Sequence, residues 1–275
     1  MIIGLDIGAW MTKGVLMRGS SIIKTSYVLT DDPAASAMKV LNVLLEATRD
    51  ARLIETIAVS GGGSRRIGGK LLDIPVVRVD EIKAIGLGGL TLTGKSKGLI
   101  INAGTGTAMV AAYDDGRRVM HIGGTGVGGG TLLGLSERIL GTHNFEELEM
   151  MAGKGDTRRV DLTVFDIVGG SIGIVPAEAT ASNFGRIDDE ASKEDIAAGL
   201  FNMVCQVIGV IGAMAAKAYR LESDVIVAGG LVKSSLASSI IQNTMNLFRI
   251  NPIIPENCEY CTAIGAVKSL SSMET

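Results

Sequence analysis

Apolar residues fall along this chain in short blocks, and glycine ends most of them. Residues 1–6 form the first block and read as a buried strand that stops at Gly8. Blocks at 15–17 and 22–25 continue it as a meander turning at Gly19 and Ser20. Over 33–49 the period changes: Ala34, Met38, Leu41 and Leu45 recur at helical spacing. Strands return at 57–59, which runs into Gly61, Gly62 and Gly63, and at 76–79. Asp80 then stands where an N-cap belongs, ahead of a helix over 81–90.

The pattern restarts near Gly98. A strand over 98–103 pairs with 107–113 across Gly104, Thr105 and Gly106, and a third strand covers 117–122. Helices follow at 131–140, 145–153 and 196–219, the last long and mostly apolar. A strand at 224–228 is cut by Gly229 and Gly230, and helices at 234–246 and 263–270 close the chain. Strand, glycine turn, strand, strand, helix thus occurs twice, which predicts one duplication and not a short-period repeat. The expected organisation is α/β, with lobes at 1–95 and 96–275. No Ser/Pro-rich linker separates them, so they should share a tight hinge.

Composition narrows this picture. The chain is 47% hydrophobic but only 4% aromatic, so its core is aliphatic and rich in Ala and Gly. At 275 residues it needs no disulfide staples. A net charge of −3 with mixed signs argues against a nucleic-acid partner. The first ten residues lack the basic start of a signal peptide. No unbroken apolar run reaches the ~18 residues of a membrane span, so a cytoplasmic chain is expected. Cys258 and Cys261 have the spacing of a redox or metal pair, but no second pair or neighbouring His completes a ligand set, and Cys205 stands alone.

Candidate chemistry sits at the glycines. Four glycine-rich turns follow strands: after Asp6, at 104–106, at 229–230, and in the run His121-Ile-Gly-Gly-Thr-Gly-Val-Gly-Gly-Gly-Thr131. Backbone amides in such turns make anion-binding concavities, and the last run enters a helix N-terminus, which favours phosphate. None of these four turns matches the P-loop pattern. Asp6, at a strand end facing these turns, suits either Mg²⁺ or a cap for the turn. Lys13 offers a point charge to phosphate or is an ordinary strand lysine. Glu81 is either a general base or a helix-start carboxylate favoured by the dipole.

The duplicated lobes, the Asp6-x-Gly8 turn and the Gly104-Thr-Gly-Thr107 turn resemble the actin-like superfamily of ATPases and sugar kinases, in which duplicated ribonuclease-H-like lobes face each other across a cleft. The glycine run with its continuation over 132–135, and Thr180-Ala-Ser-Asn-Phe-Gly185, resemble the type II pantothenate kinases over nearly the whole chain. That resemblance implies ATP-dependent phosphorylation of pantothenate to 4'-phosphopantothenate, the first step to coenzyme A, with Mg²⁺, by a homodimer. It implies that Asp6, Gly8, Thr12, Lys13, Thr105, Gly106, Gly128, Gly129, Gly130 and Thr131 bind ATP, with Phe145 and Gly230 flanking it. Asp6 would hold Mg²⁺ through water, and Glu81 would be the base. His121, Ser182 and Asn183 would meet the substrate.

Two departures stand out. Ala9, Trp10 and Met11 occupy positions where the family carries a second glycine and a Thr. His121 stands where it carries an arginine, with Arg117 and Arg118 close by. The apolar stretch 196–218 exceeds what one lobe face needs and is the expected dimer surface. Other members of the superfamily give the alternatives: an activator ATPase of a radical dehydratase, or a kinase of another small alcohol such as a sugar.

Overall fold

The computed structural model describes residues 1–48, 51–186 and 188–271. In chain order it contains β1 (Ile2–Ile7), β2 (Met11–Arg18), β3 (Ser21–Leu29), α1 (Pro33–Leu45), β4 (Thr56–Ser60), β5 (Lys70–Leu71), β6 (Ile74–Arg78) and α2 (Glu81–Thr93). The second series is β7 (Gly98–Ala103), β8 (Thr107–Tyr113), β9 (Arg118–Thr125), α3 (Gly129–Leu140) and α4 (Phe145–Ala152). After these come β10 (Leu162–Thr163), α5 (Val164–Val168), β11 (Thr180–Ser182), α6 (Lys193–Tyr219), β12 (Val225–Ala228), α7 (Ser235–Asn246) and α8 (Cys261–Ser271).

Two main sheets result, in the orders β3-β2-β1-β4-β6-β5 and β12-β7-β8-β9. In each, a three-stranded antiparallel meander carries parallel strands on its first member: β4 pairs with β1, and β12 with β7. This is the duplicated two-lobed α/β architecture expected from the sequence pattern. Alternation along β1 sorts its two faces. Ile3, Leu5 and Ile7 point to one side, where Val40, Leu41 and Leu44 of α1 cover them. Each such side chain stabilises the fold by roughly 1.5–3 kcal/mol when fully buried. α1 starts at Pro33 under an Asp32 cap and ends at Leu45, short of the expected end at Arg49, which lies outside the described residues.

On the other face of β1, helices α2 and α8 pack between the sheets. α2 places Ile85 and Leu90 in the core of the second sheet, whereas its Ala84 packs with Ala58, Val79 and Ala266. α8 packs on β1, β2 and β4 as well as on α2. Residues 261–271 therefore lie on the first sheet, while α2 lies on β7, β8, β9 and β12 of the second. Three glycines make this contact possible. A side-chain carbon at Gly265 would lie 1.7 Å from Ala84 O, one at Gly88 2.0 Å from Cys261 O, and one at Gly4 2.1 Å from Ala263 O. Backbone touches backbone at each point.

Three features depart from the sequence pattern. β9 does not stop at Ile122 but runs on through Gly123 and Gly124 to Thr125. The segment between α4 and α6 holds β10, α5 and β11, too short to show a period. α6 is long and apolar enough to cross a membrane by length and mean hydropathy (1.9), but its most apolar stretch is 67% buried inside the protein, so it is a core helix.

Substituting Gly265→Ala should cost at least about 3 kcal/mol, the upper end of ordinary overpacking, because the atoms met are main chain and cannot rotate away. Gly134→Ala, on an open face of α3 with its nearest neighbour 3.7 Å away, should instead stabilise by roughly 0.5–1 kcal/mol. Denaturant unfolding of both variants checks the contrast. A neutral Gly265→Ala would refute the close contact.

Candidate active site

Register builds the floor of a cleft. Asp6 pairs with Lys13 on β2 and with Ser60 on β4, so the three side chains stand in one row on the face of β1 opposite α1. Asp80 accepts a hydrogen bond from Lys83 N at 2.9 Å and so starts α2 immediately beyond β6. That sets Glu81 over the row. Gly61, with φ of +84°, lets the chain leave β4 past the carboxylate: a side-chain carbon there would lie 2.7 Å from Asp6 Oδ1.

The facing wall comes from the second sheet. The turn at 104–106 closes with Gly104 N donating to Gly106 O at 2.8 Å, and the glycine run folds directly onto it. Gly129 N donates to Gly104 O at 2.8 Å and Gly130 N to Thr105 O at 2.9 Å. A side-chain carbon at Gly128 would sit 2.7 Å from Thr105 O, and one at Gly130 2.7 Å from Thr105 Cγ2. Gly229 brings the end of β12 against Ala103 in the same way. Lys13 reaches across this gap: its Nζ lies 3.2 Å from where a side-chain carbon at Gly230 would be. The cleft between the two walls measures about 1150 Å³.

The Fumble family profile matches residues 98–269, more than half of the chain. This chain belongs to the Fumble family. A relative from Oceanobacillus iheyensis named type II pantothenate kinase is 32% identical over 219 residues, covering 77% of this chain and 80% of the relative. Another of that name, from Bacillus anthracis, is 26% identical over 274 residues, 96% of each chain. Among solved structures, the activator of the 2-hydroxyisocaproyl-CoA dehydratase from Clostridium difficile with bound ADPNP superposes with a TM-score of 0.71 at 19% identity, over 100% of this chain and 97% of that one. At that identity the likeness is one of fold.

In this Fumble chain, Asp6, Gly8, Lys13, Glu81, Thr105, Gly106, Gly129, Gly130, Phe145 and Gly230 all line the one cleft. Other candidates do not. Thr12 pairs with Ile7, so its side chain turns to the α1 side, where its Oγ1 shares a 2.9 Å hydrogen bond with Thr30 Oγ1. Gly128 and Thr131 stand behind the wall: Thr131 Oγ1 accepts from Gly128 N and donates to Gly126 O, closing the first turn of α3. His121 lies exposed on β9 opposite Val110, where the register shifts. Ser182 ends β11, and Asn183 Nδ2 donates to Gln206 Oε1 at 3.4 Å. None of these last three lines the cleft. The family resemblance assigns them to the substrate; in the structure they stand apart from the residues that line this cleft.

The expectation of a phosphate site at the start of α3 also changes. The amides of Gly129 and Gly130 already hold the 104–106 turn, so these glycines serve turn-on-turn packing. Sequence reasoning missed several lining residues: Tyr27, Trp10, His143, Glu149, Lys233 and Ser234. Glu149 Oε1 accepts from Ser234 Oγ at 2.6 Å. The cap motif at Ser234 is readable, but its meeting with α4 is not. Cys258 and Cys261 are both buried, and among the described residues no cluster of His, Cys, Asp and Glu could hold a metal.

Burial raises the Asp6 carboxyl above its ordinary value, and the Lys13 ammonium only partly offsets this. Glu81 is raised by desolvation, then by the charges of Asp6 and Asp80. Such acids ionise more readily in the unfolded chain. Their full contribution to stability is present below the ordinary carboxylate pKa and is lost as pH climbs through the raised values. Asp6→Asn imitates the protonated form. The variant should unfold at a higher temperature than the unliganded parent at neutral pH, with the gap closing towards pH 4. Thermal scans across pH check this, and an unchanged or lower melting temperature at pH 7 would contradict it.

Proposed function

We propose that this kinase transfers the γ-phosphoryl group of ATP to the hydroxyl of pantothenate, giving 4'-phosphopantothenate. One observation carries the reading: Glu81, held by the Asp80 cap, stands over Asp6 and Lys13 across a cleft from the 104–106 and 129–130 turns. The names of the relatives support pantothenate as the acceptor.

Phosphoryl transfer asks a protein mainly to position reactants and to oppose developing charge. Thr105, Gly106 and Gly230 offer close backbone to the nucleotide, and Phe145 gives it an apolar flank. The ammonium of Lys13 faces the phosphate oxygens as a compact charge. Glu81 accepts the proton of the acceptor hydroxyl as that oxygen attacks, and its raised pKa makes it a stronger base than an ordinary carboxylate. Asp6 fits Mg²⁺: it is a single carboxylate, and such an ion keeps most of its waters. Bound there through water, Mg²⁺ would neutralise charge on the phosphate oxygens.

We keep the lobes at residues 1–95 and 96–275 and infer that they exchange helices, with α8 lying on the first sheet and α2 on the second. We also infer a homodimer through α6, where Val210, Ile211 and Met214 form an exposed apolar stripe one turn apart. Light scattering at micromolar concentration should show the dimer, and Val210→Glu with Met214→Glu should yield a monomer. A stable parental monomer would overturn the assignment.

ATP consumption over pantothenate, pantetheine, pantoate and common sugars tests the acceptor. Turnover confined to pantothenate is expected, and turnover with another alcohol alone would replace it. Glu81→Gln should lower kcat by about 10²–10⁴-fold while nucleotide affinity stays near that of the parent. If it retains more than roughly a tenth of turnover with chemistry rate-limiting, Glu81 is not the base.

A further inference from the structure

Trp10 is the only tryptophan in the chain and sits in the first glycine turn. Its backbone is fixed there: Gly8 N donates to Met11 O at 3.1 Å, and Thr30 N donates to Trp10 O at 2.9 Å. The indole crosses to the other lobe and meets His143 edge-on, with ring centroids 4.7 Å apart and planes at 62°. His143 is braced as well. Its neighbour Thr142 accepts from Ser136 Oγ at 2.8 Å through its carbonyl, and Asn144 caps α4 by accepting from Glu147 N at 3.0 Å. The imidazole Nδ1 lies 3.9 Å from Glu137 Oε2.

Both rings line the cleft, and half of the His143 side chain is exposed, so the pair lies at the rim and not on the floor. A second bridge borders the same cleft, with Lys233 Nζ 4.9 Å from the centre of the Tyr27 ring. Edge-to-face aromatic pairs have a preferred geometry and contribute beyond the area they bury. Here that contribution is placed between two lobes whose separation opens the cleft.

We propose that Trp10 and His143 form a clasp that retains a bound nucleoside triphosphate, so that the ligand leaves only when the ring pair parts. The inference rests on the nucleotide occupying this cleft. It gives a role to Trp10, which stands where the family resemblance expects a small polar turn, and to His143. Neither ring touches the reacting atoms: both act on residence time, with no part in the chemical step.

The test is stopped-flow displacement of a fluorescent ATP analogue, bound with Mg²⁺, by excess ATP. The parent, His143→Ala, Trp10→Ala, the double variant and His143→Phe are compared. Each alanine variant should speed dissociation by about three- to tenfold, the range of an aromatic pair of ordinary strength. The double variant should be no faster than the faster single variant, because one contact is removed either way. His143→Phe keeps a ring in place and should restore slow release. Because His143 is half exposed, its alanine variant tests the clasp without threatening the core. Unchanged release from His143→Ala, or additive acceleration in the double variant, overturns the clasp while leaving the nucleotide reading intact. If the parent fails to bind the analogue at all, the nucleotide reading itself falls.

Discussion

The structure depends on one contact: main chain against main chain where α2, α8 and β1 cross. Gly88 and Gly265 let the helices touch, and Gly4 lets α8 lie flat on the sheet. A side chain at Gly88 or Gly265 would push α2 and α8 apart, and one at Gly4 would lift α8 off the sheet. Because Glu81 is the first residue of α2 and Asp6 the last but one of β1, the spacing of the two carboxylates is set by this crossing. The same two helices also join the sheets, so the relative position of the lobes rests on the contact that positions the acid pair. Stability and site geometry therefore have a common origin here.

Much of this was readable in the sequence, where a local rule sufficed. Asp80 as a cap and Glu81 as a helix start follow from side-chain chemistry within four residues, and the strand ending at Asp6 follows from apolar alternation and Gly8. Convergence of the glycine turns followed from the duplication. What could not be read needs contacts between distant segments. Nothing near Thr12 shows that its neighbour Lys13 takes the cleft side, because only register with Asp6 decides it. Nothing in 121–131 shows that Gly129 and Gly130 spend their amides on a turn more than twenty residues earlier. The return of α8 to the first sheet has no local signature at all.

The glycine run thus has two uses. Its first half is strand: a side-chain carbon at Gly124 would lie 2.3 Å from Thr107 O, so β9 can follow β8 closely only without one. Its second half is a spacer-free seat for the 104–106 turn. A cleft wall made of two stacked backbone turns presents few side chains to a ligand and has little freedom to shift, which suits a surface meant to be in place before the ligand arrives.

The three thiols carry a separate consequence. Burial pushes Cys205 and Cys261 up to about 12 and Cys258 to about 11, so none is a thiolate at neutral pH in the folded chain. Alkylating reagents then react only with molecules that have opened. Cys205 belongs to α6 in the core of the second sheet, while Cys258 and Cys261 lie at the start of α8. All three belong to one buried cluster, so labelling at any of them times the opening of the core they share. The chain contains its own clock for that motion.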